Sequence, residues 1–202
     1  MFSGIIEGLG EVTEAIKNEG LTTFSVKLPF SAKKIKRGSS ISIDGVCLTA
    51  VKIDDSVYFD VMKETLNKTT LKKLEVGRKV NIEKSIKVGD EIGGHLISGH
   101  IDCEAEIVKT ERPENNHIIT FRVDRKWMKY ILPKGFIALD GASLTVVDVF
   151  KEGGEFTVYF IPETLKLTTF GFKKEGDIVN LEIDRQTQAI VDTVENILNK
   201  GN

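Results

Sequence analysis

The chain repeats itself, and this repeat constrains its fold more than any other feature of the sequence. Three motifs recur in the same order, with offsets of 96, 99 and 95 residues. The matching pairs are residues 44–51 with 140–147, residues 64–66 with 163–165, and residues 3–5 with 98–100. Ordered matches at nearly constant spacing indicate a tandem duplication with small insertions in loops. Each half is then about the size of one small domain.

Short segments in both halves carry an apolar residue at every second position, as at Val57, Phe59 and Val61. Alternating runs separated by Gly, Asp and Asn are typical of antiparallel strands in a sandwich or barrel. We therefore predict an all-β fold from two homologous domains, at residues 1–92 and 93–186.

The C-terminal segment, residues 187–202, breaks this rhythm and has no second copy. Its apolar residues follow helical spacing, and Gly201 lies just past the predicted end. They are Ile190, Val191, Val194, Ile197 and Leu198. We predict an amphipathic helix whose apolar face packs either on its own barrel or against another subunit.

The composition excludes several classes of function. With 28 Lys and Arg against 30 Asp and Glu, the net charge of −2 gives no reason to expect nucleic acid or anionic lipid as a partner. No signal peptide is visible, and no apolar run approaches the ~20 residues of a membrane span. Two cysteines fit a reducing compartment, so a cytoplasmic protein is expected. Three histidines without a cysteine pair or an HExxH pattern argue against a metal site.

The positions at which the halves differ are the candidates for chemistry. Three repeat pairs differ in chemical type: Cys47 and Ser143, His100 and Ile5, and Asp184 and Ser85. A cysteine in an apolar strand is commonly just a small buried hydrophobe, and a histidine can be structural. Asp184 beside Arg185 would form an ordinary surface ion pair. A thiol, a hydroxyl and an imidazole are also the groups that catalyse reactions near neutral pH, so both interpretations stay open here.

The sequence motifs strongly resemble those of the riboflavin synthase family, in its trimeric, lumazine-binding type. The similarity runs nearly from end to end. The segments that carry it are residues 1–6 (MFSGII), 44–49 (DGVCLT), 62–66 (MKETL), 90–101 (DEIGGHLISGHI), 128–131 (MKYI), 134–137 (KGFI), 161–165 (IPETL) and 186–189 (QTQA).

This resemblance implies a fold and a reaction. The fold would be two tandem six-stranded Greek-key barrels with a C-terminal helix that helps to assemble a homotrimer. In the reaction, two molecules of 6,7-dimethyl-8-ribityllumazine exchange a four-carbon unit to give riboflavin and 5-amino-6-(D-ribitylamino)uracil, without a cofactor or metal. Lumazine synthase becomes a candidate partner. In the family, the first barrel of one subunit works together with the second barrel of a neighbour.

The resemblance also implies two substrate pockets. The first would use Gly4, Ile5, Ile6, Cys47, Leu48, Thr49, Asp60, Val61, Met62, Lys63, Glu64, Thr65, Gly99, His100 and Ile101. The second would use Lys134, Ser143, Leu144, Thr145, Phe160, Ile161, Pro162, Glu163, Thr164 and Leu165.

Four residues are expected to be catalytic. His100 is the candidate for handling the proton of the acidic methyl group at position 7 of the donor ring. Ser143 or Asp184 would polarise or activate the partner ring. Cys47 would add to the ring at position 7, hydrogen-bond to it, or act sterically.

Two other functions are compatible with the same architecture. A non-catalytic lumazine- or flavin-binding protein would lack the polar groups of the second half, whereas Ser143, His100, Cys47 and Asp184 are all present here. The flavin-binding barrel of a reductase would need a nucleotide-binding partner domain, for which two barrels leave no room. The sequence therefore favours the enzyme.

Overall fold

The computed structural model describes residues 1–114 and 116–200. Its first half contains six strands, one short α-helix and two 3-10 turns, and its second half repeats this pattern before a long final helix. The elements of the first half are β1 (Gly8–Asn18), β2 (Leu21–Lys27), β3 (Ser40–Ile43), β4 (Val46–Ile53), β5 (Val57–Met62), α1 (Lys63–Lys68) and β6 (Lys79–Lys84). Those of the second are β7 (Cys103–Glu111), β8 (His117–Arg122), β9 (Phe136–Leu139), β10 (Ala142–Phe150), β11 (Glu155–Phe160), α2 (Pro162–Leu167), β12 (Ile178–Ile183) and α3 (Arg185–Lys200).

Each half closes into a six-stranded antiparallel barrel. The strand order around the first barrel is β1-β2-β5-β4-β3-β6, and the second has the equivalent order β7-β8-β11-β10-β9-β12. Register shifts interrupt β1 and β4, and their counterparts β7 and β10, at matching places. Such bulges bend a strand and increase its twist, which helps a sheet to close. The predicted all-β fold of two barrels and a C-terminal helix is confirmed.

Strand alternation directs alternate side chains into two separate cores. In the first barrel Phe59 is fully buried; in the second, Phe121 stacks on Phe156 with ring centroids 5.5 Å apart and meets Phe170 edge-on. The cores share no buried residue. The domain limits at residues 92 and 186 remain a prediction.

The barrels meet where two equivalent hairpin turns lie back to back. Asp44 and Asp140 have positive φ angles of 45° and 42°, and each precedes a glycine with φ above 80°. A Cβ atom added to Gly45 would lie 2.7 Å from the backbone nitrogen of Gly141. Only two glycines allow the turns to approach this closely.

Two fully buried asparagines connect the barrels reciprocally. The Nδ2 of Asn81 donates to the carbonyl of Asp140, and the Nδ2 of Asn180 donates to the carbonyl of Asp44, at 2.9 and 2.8 Å. Each Oδ1 accepts a backbone N–H across the interface, from Thr169 and Thr70 respectively, at 2.8 Å. All polar groups of both side chains are therefore used between the barrels, as burial demands.

The same interface buries two carboxylates and one ammonium group. The Nζ of Lys173 lies 3.0 Å from the Oδ2 of Asp140. Burial, together with the negative charge of Asp140, raises the pKa of Asp44 to about 7. The repeat position of Lys173 is Leu74, so the cation comes from one half alone.

The final helix α3 packs on the second barrel through one side. Val191 contacts the core, the Tyr130 hydroxyl donates to Asp192 at 2.5 Å, and Lys129 pairs with Glu195. The neighbouring side leaves a stripe of apolar side chains at least half exposed: Ile190, Val194, Ile197 and Leu198. The helix begins two residues before its predicted start, while Gly201 and Asn202 lie outside the described residues. Within the described chain, no helix is long and apolar enough to cross a membrane.

The contact between the turns predicts unequal costs for two glycine substitutions. Gly45→Ala combines a positive φ with a clash, whereas Gly77→Ala has a similar φ of 87° but no atom within 4 Å of the new Cβ. We expect Gly77→Ala to cost about 1–2 kcal/mol of unfolding free energy, and Gly45→Ala at least twice as much. Urea unfolding of both variants measures this; equal losses would contradict the close approach.

The buried carboxylates predict a distinctive dependence of stability on pH. Because the pKa of Asp44 is raised to about 7 in the folded state, Asp44 destabilises the fold progressively as pH rises from about 4 to 7. Asp44→Asn keeps an oxygen for the backbone N–H of Asn81 and removes the charge. Its Tm should therefore exceed that of the wild type above pH 7, and the difference should vanish near pH 4. The corresponding gain in unfolding free energy is about 1.4 kcal/mol per unit of pKa shift.

Asp140→Asn is the matched control for this prediction. It removes the carboxylate that pairs with Lys173, so we expect it to lower Tm even above pH 7. Thermal unfolding of both variants between pH 4 and 8.5 is the measurement. An Asp44→Asn protein whose Tm follows that of the wild type at every pH would refute the assignment.

Candidate functional site

A cavity of about 310 Å³ opens at the first barrel and contains Cys47 and His100. It is lined by Val46, Cys47, Glu64, Thr65, Lys68, Thr69, Gly99, His100 and Ile101. The Cys47 thiol is half-buried because alternation along β4 turns it out of the barrel core, and the His100 side chain is exposed. Lys68 pairs with Glu64 at 2.8 Å, and this pairing lowers the pKa of Glu64.

The segment that brings His100 to this cavity belongs to the second half. The backbone N–H of Cys47 donates to the carbonyl of Gly99 at 2.9 Å, and a Cβ on Gly99 would lie 2.5 Å from the Cβ of Cys47. On its other side, Glu182 at the end of β12 accepts hydrogen bonds from the hydroxyl and N–H of Ser98 and from the N–H of Gly99. The segment is therefore fixed between its own barrel and the first one.

A second, smaller cavity of about 190 Å³ has the reciprocal construction. It is lined by Gly4, Ile5, Ile6, Ala142, Ser143, Ile161, Glu163, Thr164, Leu167 and Thr168. The N–H of Ser143 donates to the carbonyl of Gly4 at 2.9 Å. Glu83 accepts hydrogen bonds from Ser3 and Gly4, while its burial raises its pKa.

This reciprocity corrects one prediction. Gly4, Ile5 and Ile6 were predicted to share a pocket with Cys47, but they line the cavity of Ser143 instead. The reason is that the opening segments of the two halves pair with each other, through an antiparallel bridge between Phe2 and Ile97. Each half thereby contributes its opening segment to the cavity of the other.

The hydroxyl of Ser143 meets a histidine that the sequence analysis did not select. The Nδ1 of His95 lies 2.7 Å from the Oγ of Ser143. Burial lowers the pKa of His95, against the opposing effect of the Asp184 charge. The second cavity therefore has a hydroxyl held by an imidazole.

Asp184 lines neither cavity and caps helix α3. Its Oδ2 accepts hydrogen bonds from the hydroxyl and backbone N–H of Thr187 at 2.7 and 2.9 Å. Partial burial favours the protonated form, but these hydrogen bonds outweigh it and lower the pKa of Asp184. Within the described residues Asp184 forms no ion pair with Arg185, the alternative that the sequence left open. Arg185 instead pairs with Asp102 at 2.8 Å.

The remaining predicted binding residues fall into three groups. The side chains of Leu48, Val61 and Leu144 belong to the barrel cores. Phe160, Pro162 and Leu165 border a separate cavity of about 310 Å³ beside His117. Outside the two cavities of Cys47 and Ser143 lie Thr49, Asp60, Met62, Lys63, Lys134 and Thr145.

Two cavity-lining residues that were not predicted lie at equivalent positions of the sequence repeat. Thr69 and Thr168 occupy equivalent places in the two cavities and belong to a motif that repeats in both halves. His95 gave no such signal, because its contact with Ser143 depends on the path of the chain in space. Within residues 1–114 and 116–200, no group of three His, Cys, Asp or Glu side chains could hold a metal ion.

The chain matches one protein family in both halves and closely related proteins over nearly its full length. The family described as "Lumazine binding domain" matches residues 3–85 and 98–184. The chain is 49% identical to the riboflavin synthase of Escherichia coli (strain K12), with 98% of this chain and 93% of the relative covered. It is 46% identical to the riboflavin synthase of Chlamydia pneumoniae, with 98% and 97% covered.

Solved structures show the same architecture with ligands of the expected class. The crystal structure of LumP complexed with riboflavin has a TM-score of 0.84 and 26% identity, and LumP complexed with 6,7-dimethyl-8-(1'-D-ribityl) lumazine has 0.81 and 25%. Each comparison covers 92% of this chain and 100% of the other. The chain belongs to the riboflavin synthase family, and each of its halves is a lumazine binding domain.

Proposed function

We propose that this protein converts two molecules of 6,7-dimethyl-8-ribityllumazine into riboflavin and 5-amino-6-(D-ribitylamino)uracil. The four carbons lost by one molecule are gained by the other, so the equation balances without an oxidant or reductant. The names of the relatives, at 46–49% identity over nearly the whole chain, support the reaction. The lumazine and riboflavin in LumP support the ligand class.

The observation that carries the proposal is the pair of homologous but unequal cavities. Two identical substrates must take different roles, one as donor and one as acceptor. Cys47 and His100 line one cavity, whereas Ser143 and Ile5 occupy the equivalent places in the other. Two pockets that differ in this way can treat the same molecule differently, and holding the two rings together replaces a chance encounter.

The roles follow from which groups reach each cavity. We assign to His100 the proton of the acidic 7-methyl group of the molecule in the first cavity. Cys47 lines the same cavity and would contact the ring, by addition, hydrogen bonding or sterically. Ser143 would polarise the ring in the second cavity. Asp184 lines neither cavity, but its charge acts on His95, which contacts Ser143, so we assign it a supporting role at the second cavity.

The size of the cavities supports a site shared between subunits. Drug-sized ligands occupy pockets of about 300–1,000 Å³. At about 310 and 190 Å³, each cavity has room for at most one substrate ring system. The second substrate molecule must then be held by a cavity of another subunit. The exposed stripe of Ile190, Val194 and Ile197 on α3 offers a contact for another chain. We therefore propose a homotrimer in which the first barrel of one subunit faces the second barrel of a neighbour.

Two further assignments complete the proposal. The free thiols of Cys47 and Cys103 suit a reducing compartment, so we place the protein in the cytoplasm. Lumazine synthase is the proposed partner, because an enzyme that forms the substrate could pass it on directly.

The first experiment is incubation of the pure protein with 6,7-dimethyl-8-ribityllumazine, without added metal or cofactor, followed by chromatography. We expect one mole of riboflavin for every two moles of lumazine consumed. Lumazine that binds without conversion would instead establish a carrier protein. Absence of binding would contradict both functions.

Replacement of His100 and Asp184 by alanine tests the assigned roles. We expect His100→Ala to lower kcat by about 100-fold, since general acid–base groups contribute that much or more. Asp184→Ala should lower the stability of α3 by about 1 kcal/mol through loss of its cap, with a smaller effect on kcat. Circular dichroism confirms folding of each variant. Unchanged turnover in a folded double variant would refute both assignments.

A further inference from the structure

The hydroxyl of Ser143 is held by a buried group that does not itself line the second cavity. Only 7% of His95 is exposed, and its Nδ1 lies 2.7 Å from the Ser143 Oγ. A serine hydroxyl rotates freely unless a partner fixes it, and which way it points decides whether it donates or accepts toward a ligand.

The imidazole of His95 is itself fixed in place. It stacks on Phe136 with ring centroids 5.2 Å apart and planes 14° apart, and its backbone N–H donates to the carbonyl of Ser3 at 3.1 Å. The preceding Gly94 has no room for a side chain, because a Cβ there would lie 2.6 Å from the Cβ of Ser143. The plane of the ring is therefore fixed beside the hydroxyl.

The first cavity has no equivalent arrangement. Cys47 occupies the repeat position of Ser143. Its backbone N–H donates to the carbonyl of Gly99, but within the described residues its thiol makes no side-chain hydrogen bond. His100 in that cavity is exposed rather than buried behind the thiol. The buried imidazole is thus a difference between the half-sites, beyond the difference between thiol and hydroxyl.

We propose that His95 is the positioning residue of Ser143: its Nδ1 accepts the hydroxyl proton and turns the lone pairs of the Ser143 Oγ toward the ring bound in the second cavity. This inference rests on the proposed function. It makes Ser143 a hydrogen-bond acceptor toward substrate, with the partner ring recognised through a donor group.

The charges around His95 suit this role. Of the groups described against it, Ser143, Phe136 and Ser3 are uncharged, and Asp184 at the start of α3 is the titratable one. Burial lowers the pKa of His95, so the ring is neutral near pH 7 and Nδ1 can accept. Protonation at lower pH would convert Nδ1 into a donor and reverse the hydroxyl.

Two substitutions separate the hydrogen bond from the packing. His95→Phe keeps an aromatic ring against Phe136 but removes both nitrogens, whereas His95→Asn keeps a polar atom near the place of Nδ1. We expect His95→Phe to lower kcat about tenfold, the equivalent of one hydrogen bond, and His95→Asn to recover most of the loss. In the wild type, kcat should fall at low pH as His95 becomes protonated, and this fall should be absent from the pH profiles of both variants.

Coupling to Ser143 provides the matched control. In a Ser143→Ala background, His95→Phe should change kcat less than twofold, whereas in a Cys47→Ala background it should keep its full effect. Equal losses in both backgrounds, or no recovery with His95→Asn, would show a purely structural histidine and overturn the proposal.

Nitrogen-15 NMR of histidine-labelled protein decides the question without turnover. We expect the Nδ1 of His95 at pH 7 to show the shift of an unprotonated, hydrogen-bonded nitrogen that changes in Ser143→Ala. A protonated Nδ1 would overturn the proposal even if His95→Phe fails to fold. A wild-type protein that forms no riboflavin would refute the proposed function, whereas normal turnover by His95→Phe would refute only the role of His95.

Discussion

The back-to-back contact of the two Asp-Gly turns is the constraint on which the rest of the structure depends. Gly45 and Gly141 approach so closely that a Cβ atom at either position would lie within 3 Å of the other turn. The strands that begin beside these turns, β4 and β10, carry Cys47 and Ser143 three residues after Asp44 and Asp140. The contact that joins the barrels therefore also sets where Cys47 and Ser143 lie in the two cavities.

Duplication explains the symmetry of this interface, and small departures from it make the two cavities different. Asn81 and Asn180 exchange equivalent hydrogen bonds, and Glu83 and Glu182 hold equivalent opening segments. The departures lie near the interface and the cavities. A single lysine, Lys173, lies among the two buried carboxylates of Asp44 and Asp140. A single buried imidazole, that of His95, contacts Ser143, and Cys47 has no such partner. A symmetric frame with unequal groups suits a reaction between two copies of one substrate.

Much of the fold could be predicted because its signals are local. Alternation at Val57, Phe59 and Val61 depends only on the two-residue period of a strand. Because the chain is duplicated, an equivalent pattern occurs in each half. The predicted start of α3 lies two residues too late in the chain, because the cap by Asp184 depends on a hydrogen bond from Thr187 that composition does not reveal.

The candidate site was harder to predict because it is built from segments distant in the chain. Cys47 and His100 were expected to share a pocket, and they do, but Gly4 lies in the other cavity because the opening segments cross between barrels. His95 has no signal of its own in the sequence. Its contact with Ser143 joins residues 48 positions apart, and no periodicity or motif records such a contact.

We propose that each chain carries two ligand sites of unequal character, one beside Cys47 and one beside Ser143. The most direct test of this proposal is the stoichiometry and location of binding for a ribityllumazine analogue that lacks the reactive 7-methyl group, measured by equilibrium dialysis and by a crystal structure of the complex. We expect two molecules per chain with different affinities, one in each cavity. A single molecule per chain, or ligand that leaves either cavity empty at saturation, would contradict it.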